Sequence, residues 1–324
     1  MLREDLRYKL LVKMHFIRLV EEEIAERYSS QKMRCPVHLS IGQEGVPAGF
    51  ALAAKKTDYA VSTHRGHAHY LAKGGDVKAM IAEIYGKATG CSKGKGGSMH
   101  LIDLSVRFMG STAIVANSIP IGVGLGLSVQ LKNHDDVSCI FLGDGAVEEG
   151  VFFESLNFAA VKNLPVLFIC ENNLYSVYSS LKVRQPENRN IAKMVEAFGV
   201  KAAQADGNDA ESVYNTLVSA FREIRQGGGP RFIEFSTYRW REHCGPSFDD
   251  DLGYRSVEEV AFWKERDPIA VLSNRLKNEF AEFDLAVKDD LSNLKLEIDE
   301  AFKFAEDSPF PNVGEAHEGV FANG

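Results

Sequence analysis

Two short polar triplets interrupt the most apolar part of this 324-residue chain: Gly143-Asp144-Gly145 and Glu171-Asn172-Asn173. Asp144 offers a carboxylate and Asn173 an amide oxygen. Both are hard oxygen donors of the kind Mg²⁺ takes, and Mg²⁺ usually accepts few protein ligands and completes its octahedron with phosphate oxygens and water. Gly143 and Gly145 carry no side chain, so the backbone there can approach a diphosphate closely. Read singly, each triplet is an ordinary turn. Their context joins them: the apolar run Val137–Leu142 ends at the first, Leu164–Cys170 ends at the second, and one helical stretch, Glu149–Val161, lies between. A right-handed strand–helix–strand crossover puts both strand ends on one edge of a parallel sheet. Ligand sites of open parallel sheets form at that edge. The start of the helix near Glu149 aims its free N–H groups the same way.

The rest of the chain supplies elements to hold that edge. Residues 1–30 have the spacing of an amphipathic helix, with Leu11, Phe16, Leu19 and Ile24 on one face. Ser40-Ile-Gly-Gln43 has capping-box spacing ahead of an Ala-rich helix to about Lys55. A helix is expected over 77–89, then a loop over Gly90–Ser98, whose Gly94–Ser98 part reads as a flexible wall of the site. A third apolar run, Arg231–Thr237, follows a helix at about 209–226; the tail over 267–306 is helical and charged, and Ser308 onward looks extended. Without an internal repeat or linker, residues 1–324 read as one α/β domain: a mostly parallel central sheet flanked by helices, with an N-terminal helix and a C-terminal helical tail. Gly122-x-Gly124-x-Gly126 departs from G-x-G-x-x-G and lies in an apolar helix, so its glycines read as close-packing contacts. Gly90 to Lys95 is one residue short of a P-loop and follows a helix, so ATP binding is not expected.

Composition narrows the classes. Net charge is −8, with no long basic run, which disfavours a nucleic-acid surface. No apolar run approaches the ~20 residues a membrane span needs. The five cysteines, Cys35, Cys91, Cys139, Cys170 and Cys244, are scattered and form no C-x-x-C pair. They read as reduced thiols of a cytoplasmic protein rather than a disulfide frame or zinc site.

The stretch GDGAVEEGVFFESLNFAAVKNLPVLFICENNLYSV resembles the α subunits of pyruvate, acetoin and branched-chain 2-oxoacid dehydrogenases, whose thiamine diphosphate signature runs from Gly-Asp-Gly to a double Asn. HLSIGQEGVPAGFALA, STHRGHAHYLAKG, GCSKGKGGSMH, FMGSTAIVANSIPIGVGLG and EFSTYRWREH extend the resemblance over nearly the whole chain. It implies that Asp144, Asn173 and the backbone carbonyl of Tyr175 bind Mg²⁺. It places Gly143, Gly145, Ala146, His64 and Arg65 at the diphosphate, with Arg239 as a second guanidinium, a planar fork suited to phosphate oxygens. Ala113 and Val115 would touch the aminopyrimidine ring. His67 and His243 would stand at the reacting end and manage protons, while His69 reads as structural. The glutamate that activates the cofactor belongs to a β subunit in two-chain members. The resemblance therefore implies an α₂β₂ assembly acting on a small 2-oxoacid and passing the acyl group to a lipoyl acyltransferase.

Three departures stand out. After His243 the family usually continues His-Ser-x-Ser-Asp, whereas this chain reads Cys244-Gly-Pro-Ser-Phe-Asp-Asp-Asp-Leu-Gly-Tyr254, with Asp249–Asp251 expected to be a solvated turn rather than a charge cluster that repels an anionic approach. His64 stands where Tyr is frequent, and Ala113 where Gly is frequent. The altered loop motivates a second reading, a transketolase-like or acyloin-type enzyme that passes the activated aldehyde to a carbonyl acceptor without a lipoyl partner. A third, a scaffold without activity, is opposed by the presence of Asp144, Asn173, Arg65 and His243.

Overall fold

The computed structural model describes residues 2–33 and 35–318. In chain order the helices are α1 (Leu6–Arg27), α2 (Gly45–Ala53), α3 (His67–Lys73), α4 (Val77–Ile84), α5 (Ser118–Leu131), α6 (Gly150–Lys162), α7 (Leu181–Arg184), α8 (Ile191–Glu196), α9 (Ala210–Glu223), α10 (Val257–Glu265), α11 (Pro268–Glu279) and α12 (Phe283–Asp307). The strands are β1 (Tyr59–Ser62), β2 (Phe108–Ser111), β3 (Ser138–Gly143), β4 (Val166–Asn172), β5 (Tyr175–Ser176), β6 (Ser179–Ser180), β7 (Lys201–Asp206) and β8 (Arg231–Ser236). Six of these form one parallel sheet in the order β2-β1-β3-β4-β8-β7. The expected α/β class with a parallel centre is what the chain adopts.

β3 and β4 lie mid-sheet and are almost wholly buried, as their continuous apolar runs require. Successive side chains point to opposite faces. Cys139, Phe141, Leu167 and Ile169 enter the core under α1, α2 and α9, while Ile140, Leu142, Val166 and Phe168 enter the core under α5 and α6. Gly122 and Gly126 let α5 settle on this second face: a Cβ at Gly122 would collide with Ile140 and Val61, and one at Gly126 with Val166. The close-packing reading holds for these two. Gly124 points away, with nothing within 4 Å of a Cβ.

Several local expectations need correction. Ser40 is not a cap; its carbonyl accepts from Gln43 N in a turn, and α2 begins only at Gly45, without a side-chain cap. The helix expected over 77–89 stops at Ile84. Its Glu83, fully buried, bends the following loop back on itself by accepting from the N–H groups of Ser92 (2.8 Å), Gly94 (2.8 Å), Gly96 (2.7 Å) and Gly97 (3.0 Å). The Gly94–Ser98 segment is thus pinned by three hydrogen bonds to one carboxylate, with Ser92 adding a fourth just ahead of it, and is not a flexible wall. The helical tail is as expected, with Asp267 capping α11 ahead of Pro268. The chain past Ser308 forms a 3₁₀ turn at Val313–His317 rather than staying extended, and residues 319–324 lie outside the described residues.

Candidate active site

The C-terminal ends of β3 and β4 open into a cleft. Parallel register pairs Gly143 with Glu171, so the two triplets stand side by side, as the crossover argument requires. Asp144 is 2% exposed. Burial pushes its carboxyl above the usual carboxylate range, against the opposing pull of Arg184. After β4 the chain turns sharply. Asn172 Oδ1 accepts from Leu174 N (3.1 Å) and Asn173 Oδ1 from Tyr175 N (3.2 Å), two successive Asx turns. Leu174 and Val177 take positive φ, 71° and 54°. For a β-branched residue that is strained, and it persists only where surroundings over-determine it.

Those surroundings come from Tyr238, Arg239 and the segment after His243. Arg239 Nη2 donates to the Val177 carbonyl (2.9 Å), and Tyr175 and Tyr238 both donate their hydroxyls to Glu259 on α10 (2.7 and 2.8 Å). Asp249, 2% exposed, pairs with Arg239 and Arg255 and accepts from Tyr254. The solvated turn expected at Asp249–Asp251 is therefore wrong for its first residue. Asp249 is the centre of a buried ion cluster, because two guanidiniums converge on it from positions 10 residues before and 6 residues after. Asp250 pairs with Arg255 and Lys264, and only Asp251 is left exposed.

Opposite Asp144 stand three imidazoles. Ring centroids of His38, His64 and His243 lie 4.7, 5.1 and 5.3 Å apart. Burial, then the Arg65 guanidinium, pulls each ring far below the usual histidine range: His38 to about 2, His243 to about 3, His64 to about 4. All three are neutral at physiological pH. Arg65 is itself buried, donating to the carbonyls of Leu39 (2.5 Å) and His243 (3.2 Å), and burial pulls it down to about 10. It stays a cation, the charge that sets the sign of this wall. The imidazole nitrogens have metal-ligand spacing, but the guanidinium beside them repels a dication, so the hard-oxygen wall is the better cation seat.

Of the residues singled out from sequence, His64, Arg65, Val115, Gly143, Asp144, Gly145, Ala146, Asn173, Tyr175 and His243 line the cleft. Three do not. His67 is fully buried, with Nδ1 3.2 Å from Glu21 and Nε2 2.7 Å from Ser98, so both nitrogens are taken and it holds α3 to α1 and the Glu83-bound loop. Arg239, 1% exposed, is spent on Asp249 and backbone carbonyls. Ala113 is not in the cleft wall. His69 is structural as expected, stacked on Phe141 at 3.8 Å and bonded to Ser62; its Nε2 is 3.0 Å from Glu171 but out of line for a hydrogen bond.

The sequence reading missed Gln43, Thr63, Ala116, Glu171 and Ser176, which also line the cleft, and His38 behind it. Gln43 follows Gly42, whose φ of 96° fixes the turn that aims it at Asn173 Nδ2 (3.3 Å). Ala116 sits at φ 62° immediately before α5. The glycine at 42 is the type its conformation favours, so that turn was readable in the sequence, whereas the conformation of Ala116 leaves no mark in residue type.

Glycine-bordered strand ends beside oxygen-bearing side chains, at the carboxyl edge of a parallel sheet, lie where open α/β folds bind their ligands. The sequence profile of the dehydrogenase E1 component family matches residues 12–314. The pyruvate dehydrogenase E1 component subunit alpha of Rickettsia felis is 40% identical over 310 residues, covering 95% of this chain and 93% of that one. The chloroplastic subunit alpha-3 of Arabidopsis thaliana is 37% identical over 316 residues, covering 94% and 72%, and the Porphyra purpurea subunit alpha is 37% identical over 328 residues, covering 98% and 94%. The chain belongs to the dehydrogenase E1 component family, as an α-type subunit of the thiamine-diphosphate-dependent enzymes that decarboxylate 2-oxoacids. This favours the dehydrogenase reading over the transketolase-like one. No helix among the described residues is long and apolar enough to cross a membrane.

Proposed function

We propose that the cleft holds the diphosphate of thiamine diphosphate through Mg²⁺, ligated by Asp144, Asn173 and the Tyr175 carbonyl, and that the substrate is pyruvate or a close relative. The observation that carries this is the bare cradle beside a buried carboxylate: nothing lies within 4 Å of where a Gly143 Cβ would stand, while Asp144 and Asn173 bring hard oxygens to the same strand ends. The residues fit the group. When bound, the cofactor supplies a nucleophilic carbon for the ketone and a sink for the electron pair left by carbon dioxide. The chain's own part is placement. Arg65 answers the diphosphate's negative charge, with Gly143, Gly145 and Ala146 offering backbone. The uncharged His64 and His243 have both donor and acceptor nitrogens to orient a carboxylate or carbonyl and to carry a proton. Val115 and Ala116 form the apolar side of the cleft.

The site is half of one. α5 and α6 present an apolar face with Ile121, Leu131, Phe158 and Val161 exposed, next to the exposed Ile114 and Val115 at the cleft rim. Exposed apolar side chains on these two helices suit an interface, and a β subunit carrying the activating glutamate fits it. The acyl group then passes to a lipoyl acyltransferase, in the cytoplasm. The test is turnover of pyruvate by the chain with and without a β subunit, using lipoamide and then aldehydes as acceptors. Lipoamide-dependent turnover that needs both chains is expected. Full decarboxylation by this chain alone would refute the half-site reading, and aldehyde as the sole productive acceptor would refute the lipoyl step.

A further inference from the structure

Arg184, at the end of the four-residue helix α7, reaches back to the segment that follows β3. Its Nη2 donates to Asp144 Oδ2, and its Nη1 donates to Glu148 Oε1 at 2.7 Å. Its guanidinium lies against Gly145, 3.7 Å from where that residue's Cβ would be. The Arg184 side chain is 11% exposed and that of Asp144 3%, while Glu148 is 26% exposed. This is a buried pair with an outlet. One carboxylate is sealed in, and the second, four residues on, faces solvent.

We propose that Arg184 is a built-in competitor for the metal position, which hands Asp144 to a divalent cation by retreating onto Glu148. The proposal rests on Asp144 being the metal ligand. A guanidinium N–H and a divalent ion both need the oxygen lone pairs of Asp144 Oδ2, and two cations on one small carboxylate repel. Glu148 supplies the second seat, so the guanidinium is never stranded, and a stranded buried charge is what would otherwise make the exchange costly. The retreat carries a segment with it. Arg184 Nε donates to the Ser179 carbonyl at 3.1 Å, and Gln185 Nε2 donates to Glu148 at 2.8 Å. Most of Ser179–Arg189 is exposed, so few other contacts hold it. Metal binding therefore loosens residues 179–190, and the apparent metal affinity is reduced by the fraction of molecules in which Arg184 holds Asp144.

The experiment measures Mn²⁺ binding to the full chain by the loss of the free-ion EPR signal, with and without thiamine diphosphate, together with backbone hydrogen exchange over 179–190. Arg184→Gln and Arg184→Met should bind Mn²⁺ about tenfold more tightly than the parent. Their 179–190 amides should exchange fast with or without metal, whereas those of the parent should speed up only on adding it. Asp144→Asn should abolish the binding. Asp144-dependent binding that is unchanged or weaker in both Arg184 variants overturns the competition while leaving the metal reading intact. No Mn²⁺ binding by parent and variants alike overturns the metal reading, and this proposal with it.

Discussion

Gly143→Ala separates the fold from the site. Gly143 has φ −94° and ψ 167°, ordinary extended backbone, and nothing lies within 4 Å of a Cβ built there. Alanine is accommodated without strain or collision. The unfolded chain loses freedom, so stability should rise by about 0.4–1 kcal/mol. The same methyl group, however, fills the space over the end of β3 that the diphosphate is proposed to enter. Displacing one phosphate oxygen from a backbone N–H forfeits a hydrogen bond to a charged group, about 1.5–3 kcal/mol, or roughly ten- to a hundredfold in affinity. Urea denaturation measures the first quantity, and fluorescence or calorimetric titration with thiamine diphosphate and Mg²⁺ measures the second. The expected pattern is a variant at least as stable as the parent that binds cofactor at least tenfold more weakly. Unchanged affinity would refute the placement of the diphosphate over Gly143, and a large loss of stability would refute the open geometry. Gly145→Ala is a useful contrast, because its Cβ would stand 2.8 Å from Ser176 Oγ and should disturb both quantities.

Glu83→Gln keeps shape but turns an amide NH₂ towards N–H groups that now share one carboxylate; a loss of about 3–5 kcal/mol is expected from two forfeited charge-assisted bonds, with faster amide exchange at Gly96 and Gly97, and a loss under 1 kcal/mol would contradict the pinning. Stability should also fall with acid. His38, His64 and His243 have folded-state values of about 2, 4 and 3, below the ordinary value, so the unfolded chain takes up their protons first. Their contribution is intact above about 6.5 and is lost as pH drops towards 4, each by up to about 1.4 kcal/mol per unit. The slope of unfolding free energy against pH between 6 and 4.5 should be shallower in His38→Gln by close to one proton, and an unchanged slope would show that His38 is protonated in the native protein.

The β3–α6–β4 unit was legible because its apolar runs are long and end at glycine and asparagine, so the edge carrying Asp144 and Asn173 followed from topology before any family likeness. β1 and β2 are four residues each, Tyr-Ala-Val-Ser and Phe-Met-Gly-Ser, too short to show a period. β7, Lys-Ala-Ala-Gln-Ala-Asp, is an edge strand whose exposure removes the hydrophobic signal. The histidines and arginines were recognisable as chemistry, but their partners were not. His67 is spent on Glu21 and Ser98, far from it in sequence, and Arg239 on Asp249. Whether a polar side chain faces a cavity or a buried counter-charge depends on contacts that spacing alone does not encode.

The sheet order also bears on how the chain folds. Ser138 pairs with Val166 across a single helix, whereas Tyr59 must find Ser138 and Leu167 must find Arg231 over much longer loops. Closing a longer loop costs more entropy before contacts repay it. The β3–α6–β4 crossover unit is then an early nucleus, and substitutions in it should slow refolding while those in β1 chiefly speed unfolding. The strands that end in Asp144 and Asn173 would find each other first, with the imidazole wall and the Asp249 cluster closing on them afterwards.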